Sequence, residues 1–230
     1  MLLIKICYIC SMKFSHSEEN YLKAIFHLEK LQQEEVSTNA IAEQLDTKPS
    51  SVTDMVQKLA DKEMLTYVKY KGTSLTDAGR KKALSVIRKH RLWETFLVQK
   101  LDFSWEQVHE IAEQLEHIKS EELINRLDAF LDYPTVDPHG DPIPDEEGNF
   151  KKTAKKLLKD MEVSEQGICV GVKNSESTFL TYLNKKNIAI GSEIKVLTKE
   201  DFDESLQILV AGDSFFVSKQ ISENLYIQTI

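Results

Sequence analysis

Cysteine and long apolar runs are scarce in this sequence, and each shortage excludes a class of protein. The three cysteines, Cys7, Cys10 and Cys169, are too few and too scattered for a disulfide framework, which favours a reducing cytoplasm. The longest apolar run, Met1–Cys10, is interrupted by Lys5 and is far shorter than the about 20 residues of a transmembrane helix. We therefore expect a cytoplasmic protein without a membrane segment.

The leader before Met12 carries no recognisable function. No small-residue cleavage site follows it, and the segment that begins at Met12 is typical of an ordinary start, so we interpret Met1 as an early start codon. The pair Cys7-x-x-Cys10 has no second half, so we do not interpret it as a metal or redox site.

A surplus of basic charge is also missing, since the formal net charge is −8 at pH 7. Residues 12–82 carry 11 basic and 11 acidic residues, whereas residues 83–230 carry 17 basic and 26 acidic ones. The neutral first third can still present a basic face to phosphate, and the acidic remainder can bind cations or a partner. The charge distribution therefore permits both DNA and metal as ligands.

The first third of the chain has the signals of a winged helix-turn-helix domain. Ser15 and Glu18 have the spacing of a capping box, and apolar residues follow at helical intervals. Ser37 or Thr38 is expected to cap a short second helix, and Pro49 suits the first position of a third. The β-branched and aromatic residues that come next predict a small hairpin. Three helices and a hairpin in this order are typical of a DNA-binding domain.

Three further helices are predicted in the middle of the chain. Their expected spans are Asp77 to about Lys100, Ser104 to about Lys119, and Ser120 to near Leu131. The stretch Trp93–Val108 contains more large apolar side chains than one buried stripe needs, which predicts a helical dimer interface.

The last part of the chain is expected to be a separate β domain. Four of the five prolines fall between Tyr133 and Asn149, which predicts an irregular connector. Lys151–Lys159 is interpreted as a basic helical stretch, and beyond Met161 short β runs punctuated by glycine predict a small β-barrel. The expected fold class is mainly α with a β tail.

Histidines and acidic residues on the middle helices form the most informative pattern. Residues three and four positions apart share a helix face, so His90 and Glu94 can meet one ion, as can Glu113, Glu116 and His117. Imidazole and carboxylate ligands suit Mn²⁺, Fe²⁺, Co²⁺ or Zn²⁺, and the absence of thiolate argues against a closed structural zinc site. The alternative interpretation is that these side chains only decorate solvated helix faces.

No motif for catalysis accompanies this pattern. The sequence contains no P-loop, no Gly-x-Gly-x-x-Gly, no Gly-x-Ser-x-Gly and no His-Glu-x-x-His, so we do not predict an enzyme. His16, His27 and His139 stand alone and are interpreted as surface or turn histidines.

Four segments in the same order together carry a resemblance to a known family. The chain resembles the diphtheria-toxin-repressor family of metal-dependent transcriptional repressors through residues 48–59, 88–94, 108–117 and 137–144. The resemblance implies a homodimer with a winged helix-turn-helix, a helical domain that holds two metal sites, and an SH3-like domain. The corresponding divisions are 12–76 for DNA binding, 77–150 for metal binding and dimerisation, 151–160 for a linker, and 161–230 for the SH3-like domain.

The resemblance also implies which residues hold the metal, which we expect to be Mn²⁺ or Fe²⁺, with Zn²⁺ or Co²⁺ able to bind in vitro. The implied primary site is Asn20, Glu113, Glu116 and His117, and the implied ancillary site is His90, Glu94 and His109, with Glu176 near the position of a further ligand. Iron-type relatives have methionine and manganese-type relatives aspartate at the position of Asn20, and iron-type relatives have cysteine at that of Glu113. Manganese-type relatives that bind two ions have a second acidic ligand, and Lys23 stands at its position in this sequence.

The implied function is repression of metal-uptake genes through double-stranded operator DNA, with no membrane or small-molecule substrate involved. The third helix and the wing would contact DNA through Lys48, Ser50, Ser51, Thr53, Gln57, Lys58, Lys69 and Lys71, with Thr73 also on the wing. Without metal, the carboxylates are expected to repel one another and to leave the DNA-binding domain free to drift. The alternatives are a winged-helix regulator that responds to a non-metal ligand, a protein-interaction module, and a metal-dependent hydrolase.

Overall fold

A computed structural model describes residues 13–32, 35–68, 71–151 and 154–230. Their contacts define two compact units. One contains the described residues up to Lys89 with Glu116–Ile118 and Pro144–Asn149, and the other contains the rest. The predictions for the leader and for Lys69 concern residues outside the described ones.

The chain contains helices in its first part and mainly strands in its last. The helices are α1 (His16–Gln32), α2 (Thr38–Gln44), α3 (Pro49–Asp61), α4 (Asp77–Leu101), α5 (Val108–Leu115), α6 (Glu121–Phe130), α7 (Ser177–Lys185) and α8 (Lys219–Ser222). The strands are β1 (Leu65–Val68), β2 (Gly72–Leu75), β3 (Lys156–Leu157), β4 (Gln166–Val172), β5 (Glu193–Lys199), β6 (Leu206–Val210), β7 (Asp213–Val217) and β8 (Leu225–Thr229). Among the described residues, no helix combines the length and the apolar content that crossing a bilayer requires.

Capping hydrogen bonds at α1 and α2 and a proline at α3 mark the starts of the three helices of the N-terminal winged helix. The amide of Ser15 donates to Glu18 Oε2 at 2.8 Å, which closes the predicted capping box. Ser37 Oγ accepts from the amide of Ala40 at 3.1 Å, and Pro49 occupies the first turn of α3. The helices pack on one another and on the antiparallel hairpin β1–β2. The predicted winged helix-turn-helix is confirmed.

The middle helices have the predicted order but one different boundary. Thr76 Oγ1 accepts from the amide of Gly79 at 3.1 Å at the start of α4, and Ser120 caps α6. The helix predicted from Ser104 begins only at Val108, because Ser104 and Gln107 hydrogen bond to each other in a turn before it. It ends at Leu115, so the residues that follow it lie in a turn.

The C-terminal part is an antiparallel sheet in the order β3-β8-β4-β5-β6-β7. The predicted closed barrel is not found in the described residues. The edge strand β3 pairs with β8 and the edge strand β7 pairs with β6, and no pairing between the two edges is found there to close the sheet. The helical stretch predicted at Lys151–Lys159 is also wrong. Its described residues contain strand β3, and Leu158–Asp160 form a 3₁₀ turn. Leu158 is fully buried in this turn. The apolar faces of the sheet and of α7 form one core.

Candidate metal centres and DNA-reading helix

Glu94 is a buried carboxylate at the centre of a group of histidine side chains. It lies on α4 with 2% of its surface exposed. Its Oε1 atom is 3.0 Å from His90 Nε2, one helical turn earlier, and 3.3 Å from His109 Nδ1 on α5. The donor atoms of these three residues lie within 4.8 Å of one another, so they can share one ion. The structure brings together the whole set that the sequence placed in the ancillary site, except Glu176.

The other oxygen of Glu94 faces two buried residues of the proline-rich connector. Glu94 Oε2 is 3.6 Å from His139 Nδ1, and donor atoms of Glu94, Asp137 and His139 lie within 4.8 Å of one another. His139 is 4% exposed, so its interpretation as a surface residue is wrong, although it does lie in a turn. We call the five residues His90, Glu94, His109, Asp137 and His139 the Glu94 centre.

A hydrogen bond to His139 determines which of its ring nitrogens could bind a metal ion. Its Nε2 atom lies 2.7 Å from the carbonyl oxygen of Trp105, an acceptor that needs a proton on this nitrogen. In the neutral ring, Nδ1 then keeps its lone pair and points towards Glu94. A ligand histidine whose second nitrogen donates to a carbonyl is a common arrangement in metal sites.

The connector reaches Glu94 because it passes very close to β4. Gly140 has a φ of +81°, and a Cβ atom there would lie 2.0 Å from the carbonyl oxygen of Val170. The amide of Val172 donates to the carbonyl oxygen of His139 at 2.7 Å. Asp137 Oδ1 accepts from the amide of His139 at 2.8 Å, which orders the turn.

We expect Gly140→Ala to weaken metal binding at the Glu94 centre by about tenfold, because the connector must move away from β4. Alanine is also strained at the positive φ of this position, so the free energy of unfolding should fall by about 2 kcal/mol. Calorimetric titration with Mn²⁺ and thermal unfolding measure the two effects. Gly191→Ala is the control, because Gly191 has a φ of +90° with nothing within 4 Å of its Cβ position. Equal loss of metal affinity in both variants would contradict this role of the close approach.

The ionisation of the Glu94 centre depends on its buried charges. Burial alone would raise the pKa of Glu94, but hydrogen bonds from His109, His139 and His90 hold it well below its ordinary value. Burial opposes the charge of His139, yet Glu94 and then Asp137 raise its pKa to about 9. Burial, with the nearby charges of Glu94 and Asp141, raises the pKa of Asp137 to about 7. A metal ion that takes these ligands must displace protons from them.

A second polar group joins α1 to the turn that follows α5. Lys23 Nζ donates to both carboxylate oxygens of the fully buried Glu116, at 2.7 and 2.8 Å. His117 Nδ1 is 2.6 Å from Glu19 Oε2, and Lys82 Nζ is 2.7 Å from Glu19 Oε1. Burial would raise the pKa of Glu19, but the hydrogen bonds from Lys82 and His117 lower it. We call these five residues, with Asn20, the α1 cluster.

The predicted ligands Asn20, Glu113 and Glu176 differ in their burial and in their contacts. Asn20 Oδ1 is buried and has no hydrogen-bond partner among the described residues. A buried oxygen without a partner is suited to bind a cation. Glu113 is 51% exposed, and its Oε1 is 3.6 Å from His109 Nε2. Glu176 is exposed, and its amide donates to Asn174 Oδ1 at 2.8 Å. No metal-ligand group found among residues 13–32, 35–68, 71–151 and 154–230 contains Glu113, Glu116, His117 or Glu176.

The surface of α3 and the wing carries the predicted DNA contacts. Every described member of the predicted set is exposed, namely Lys48, Ser50, Ser51, Thr53, Gln57, Lys58 and Lys71. The opposite side of α3 is buried through Val52, Val56 and Leu59. Thr73 is 1% exposed and donates to the carbonyl oxygen of Thr66, so the predicted DNA contact by Thr73 is wrong.

Three protein-family models match the chain in succession. Residues 13–73 match the iron dependent repressor N-terminal DNA binding domain, residues 76–145 the iron dependent repressor metal binding and dimerisation domain, and residues 156–229 the FeoA domain. The HTH-type transcriptional regulator MntR of Oceanobacillus iheyensis is 37% identical over 117 residues, which are 51% of this chain and 78% of that protein. The chain belongs to the iron-dependent repressor family.

Other members of the iron-dependent repressor family match over different lengths. The iron-dependent repressor IdeR of Mycobacterium bovis is 37% identical over 126 residues, 55% of this chain and 54% of that protein. The chain thus spans about half the length of this curated relative. A solved structure of a manganese-dependent transcriptional repressor in complex with manganese has 30% identity and a TM-score of 0.79, covering 93% of this chain and 100% of that one. The predicted family and the three-part fold are confirmed.

The structure of this member of the iron-dependent repressor family places near Glu94 two residues that its sequence did not single out as ligands. Asp137 and His139 belong to a connector without helical periodicity, so no spacing relates them to Glu94. The available signals were their place in segment 137–144, which carries the family resemblance, and Gly140 beside them, since a glycine can mark a close approach between backbones. Lys23 was noted only as the position where an acid is missing.

Proposed function

We propose that this protein is a repressor that binds operator DNA as a metal-loaded homodimer in the cytoplasm and silences genes for metal uptake. The observation that carries the proposal is the Glu94 centre, where one buried carboxylate lies between three imidazoles and a second carboxylate. Buried polar groups of this kind are costly unless they are paired or bind a metal. Their presence in the same chain as a winged helix-turn-helix favours a sensor.

The donor set supports Mn²⁺ or Fe²⁺ as the metal, with Zn²⁺ and Co²⁺ as ions that can also bind in vitro. Carboxylate oxygens favour hard ions, imidazole is intermediate, and no thiolate contributes. A bound dication would supply a positive charge that several carboxylates and imidazoles can share. On the protein side, Trp105 holds His139 in orientation, while Asp137 and His139 release the protons that their raised pKa values retain near neutral pH.

The exposed face of α3 supports major-groove recognition. Ser50, Ser51, Thr53 and Gln57 offer hydroxyl and amide groups to base edges or phosphates, and Lys48 and Lys58 offer charge to phosphates. On the wing, Lys71 is the described basic residue proposed to contact the backbone. A homodimer would place two such helices on the two halves of a palindromic operator. Since the relatives are repressors, we also infer that the protein is not an enzyme.

Fluorescence anisotropy tests the proposal. DNA from upstream of a neighbouring metal-transporter gene is titrated with the protein in EDTA and at fixed free concentrations of Mn²⁺, Fe²⁺ and Zn²⁺. We expect tight binding only with a metal ion, and binding of one dimer per site. Equal affinity in EDTA and Mn²⁺ would contradict the proposal and favour a regulator that responds to a non-metal ligand. Turnover of generic phosphate or ester substrates with Mn²⁺ would contradict the non-enzymatic part.

A further inference from the structure

The ammonium group of Lys23 occupies the carboxylate that a metal ion in the α1 cluster would need. It donates to both oxygens of Glu116, at 2.7 and 2.8 Å, and the exposed fractions of the two side chains are 15% and 0%. A carboxylate that accepts two charge-assisted hydrogen bonds has little further capacity for a dication in the same direction. The pair joins residues 93 positions apart in the sequence.

A second ammonium group completes the charge balance of the α1 cluster. Glu19 pairs with Lys82 at 2.7 Å and with His117 at 2.6 Å. Two carboxylates thus face two ammonium groups, so Glu116, one of the carboxylates expected to repel its neighbours without metal, is paired with Lys23. A dication placed between Asn20, Glu116 and His117 would instead meet positive charge at Lys23.

The two centres therefore differ in the kind of group that a metal ion must displace. Around Glu94 the partners are imidazoles, whose ring nitrogens can themselves be metal ligands. Around Glu116 both short hydrogen bonds come from the ammonium group of Lys23, which has no lone pair for a metal ion and must leave, while His117 Nε2 lies 3.8 Å from Glu116 Oε1. Lys23 has a flexible four-carbon stem and is partly exposed, so its head can move to solvent.

We propose that Lys23 is a built-in competitor for the cation at Glu116 and that it sets the metal concentration at which the α1 cluster fills. The Glu94 centre then fills at lower metal concentration, and the α1 cluster fills only after Lys23 has been displaced. This inference rests on the proposed function, because it assumes that the protein takes up a divalent metal. It makes Lys23 a residue that tunes the response, and not a ligand.

Calorimetry with Mn²⁺ on the full-length protein tests the competition. All variants carry Glu94→Gln, so that the signal reports the α1 cluster. We expect Lys23→Gln to bind Mn²⁺ at least about tenfold more tightly than the Glu94→Gln parent, because one like charge near the ion is removed. Lys30→Gln is the matched control, since it removes the same charge from an exposed position on α1, and it should leave the affinity unchanged. Lys23→Arg retains the charge and should gain nothing.

Thermal unfolding keeps the test decisive if Lys23→Gln is less stable. Without Lys23, Glu116 stays buried without its ammonium partner, so the melting temperature should fall in EDTA and should recover in Mn²⁺. A lower melting temperature that Mn²⁺ does not restore, with unchanged Mn²⁺ affinity, would show a purely structural lysine and overturn the inference. Absence of Mn²⁺ binding by the protein with intact Glu94 would overturn the proposed function instead.

Discussion

Glu94→Gln is expected to abolish the metal dependence of operator binding, with a loss of at least about 100-fold in affinity at Mn²⁺ concentrations that saturate the unmodified protein. The reason is geometric. The Glu94 carboxylate contacts His90 and His109 through Oε1 and faces His139 through Oε2. The substitution therefore removes the same negative charge from both ligand groups that share Glu94. Fluorescence anisotropy with a labelled operator measures the change.

The control for Glu94→Gln is an acid that lies on α5 but outside the Glu94 centre. Glu110 is exposed, and Glu110→Gln removes the same charge from the same region of the chain. It should retain the Mn²⁺ response. If Glu94→Gln binds the operator as tightly as the unmodified protein in Mn²⁺, the Glu94 centre is not the sensor. Circular dichroism would show whether either variant has lost helix.

Gln57→Ala is expected to reduce discrimination between operator and unrelated DNA by about 1–3 kcal/mol, whereas Lys58→Ala should weaken binding to all sequences alike. Gln57 is exposed on α3, and its amide, which donates to Asp61 Oδ1 at 3.1 Å, can turn to a base edge. Lys58 is 57% exposed and can reach phosphate, although it also lies 3.4 Å from Glu18. Loss of a phosphate contact should also lower the salt dependence by about one counterion.

Titrations at several salt concentrations separate these two roles. Gln44→Ala, on the exposed side of α2, is the control for a glutamine outside the reading face. The melting temperature of Lys58→Ala shows whether loss of the contact with Glu18 affects the fold. Indistinguishable salt slopes and specificity ratios for Gln57→Ala and Lys58→Ala would contradict the proposed placement of α3 in the major groove.

The helical part of the chain could be predicted because its signals are local. Ser15 and Glu18 close the first turn of α1, and Pro49 begins α3, since caps depend on residues only a few positions apart. The contact of His90 with Glu94 follows from the same short-range geometry, because an α-helix places such residues on one face. The errors lie at Lys151–Lys159 and in the predicted barrel, where strand pairing over long distances decides the structure.

By itself the sequence determined the family, the order of the domains and the helix that carries His90 and Glu94. Only the tertiary structure decided what surrounds Glu94 and Glu116. Asp137 and His139 reach Glu94 because Gly140 lets the connector touch β4, and no periodicity encodes that approach. Lys23 meets Glu116 because the fold packs α1 against a turn 93 residues later. Buried charges pair across such distances since each must find a partner once it leaves water.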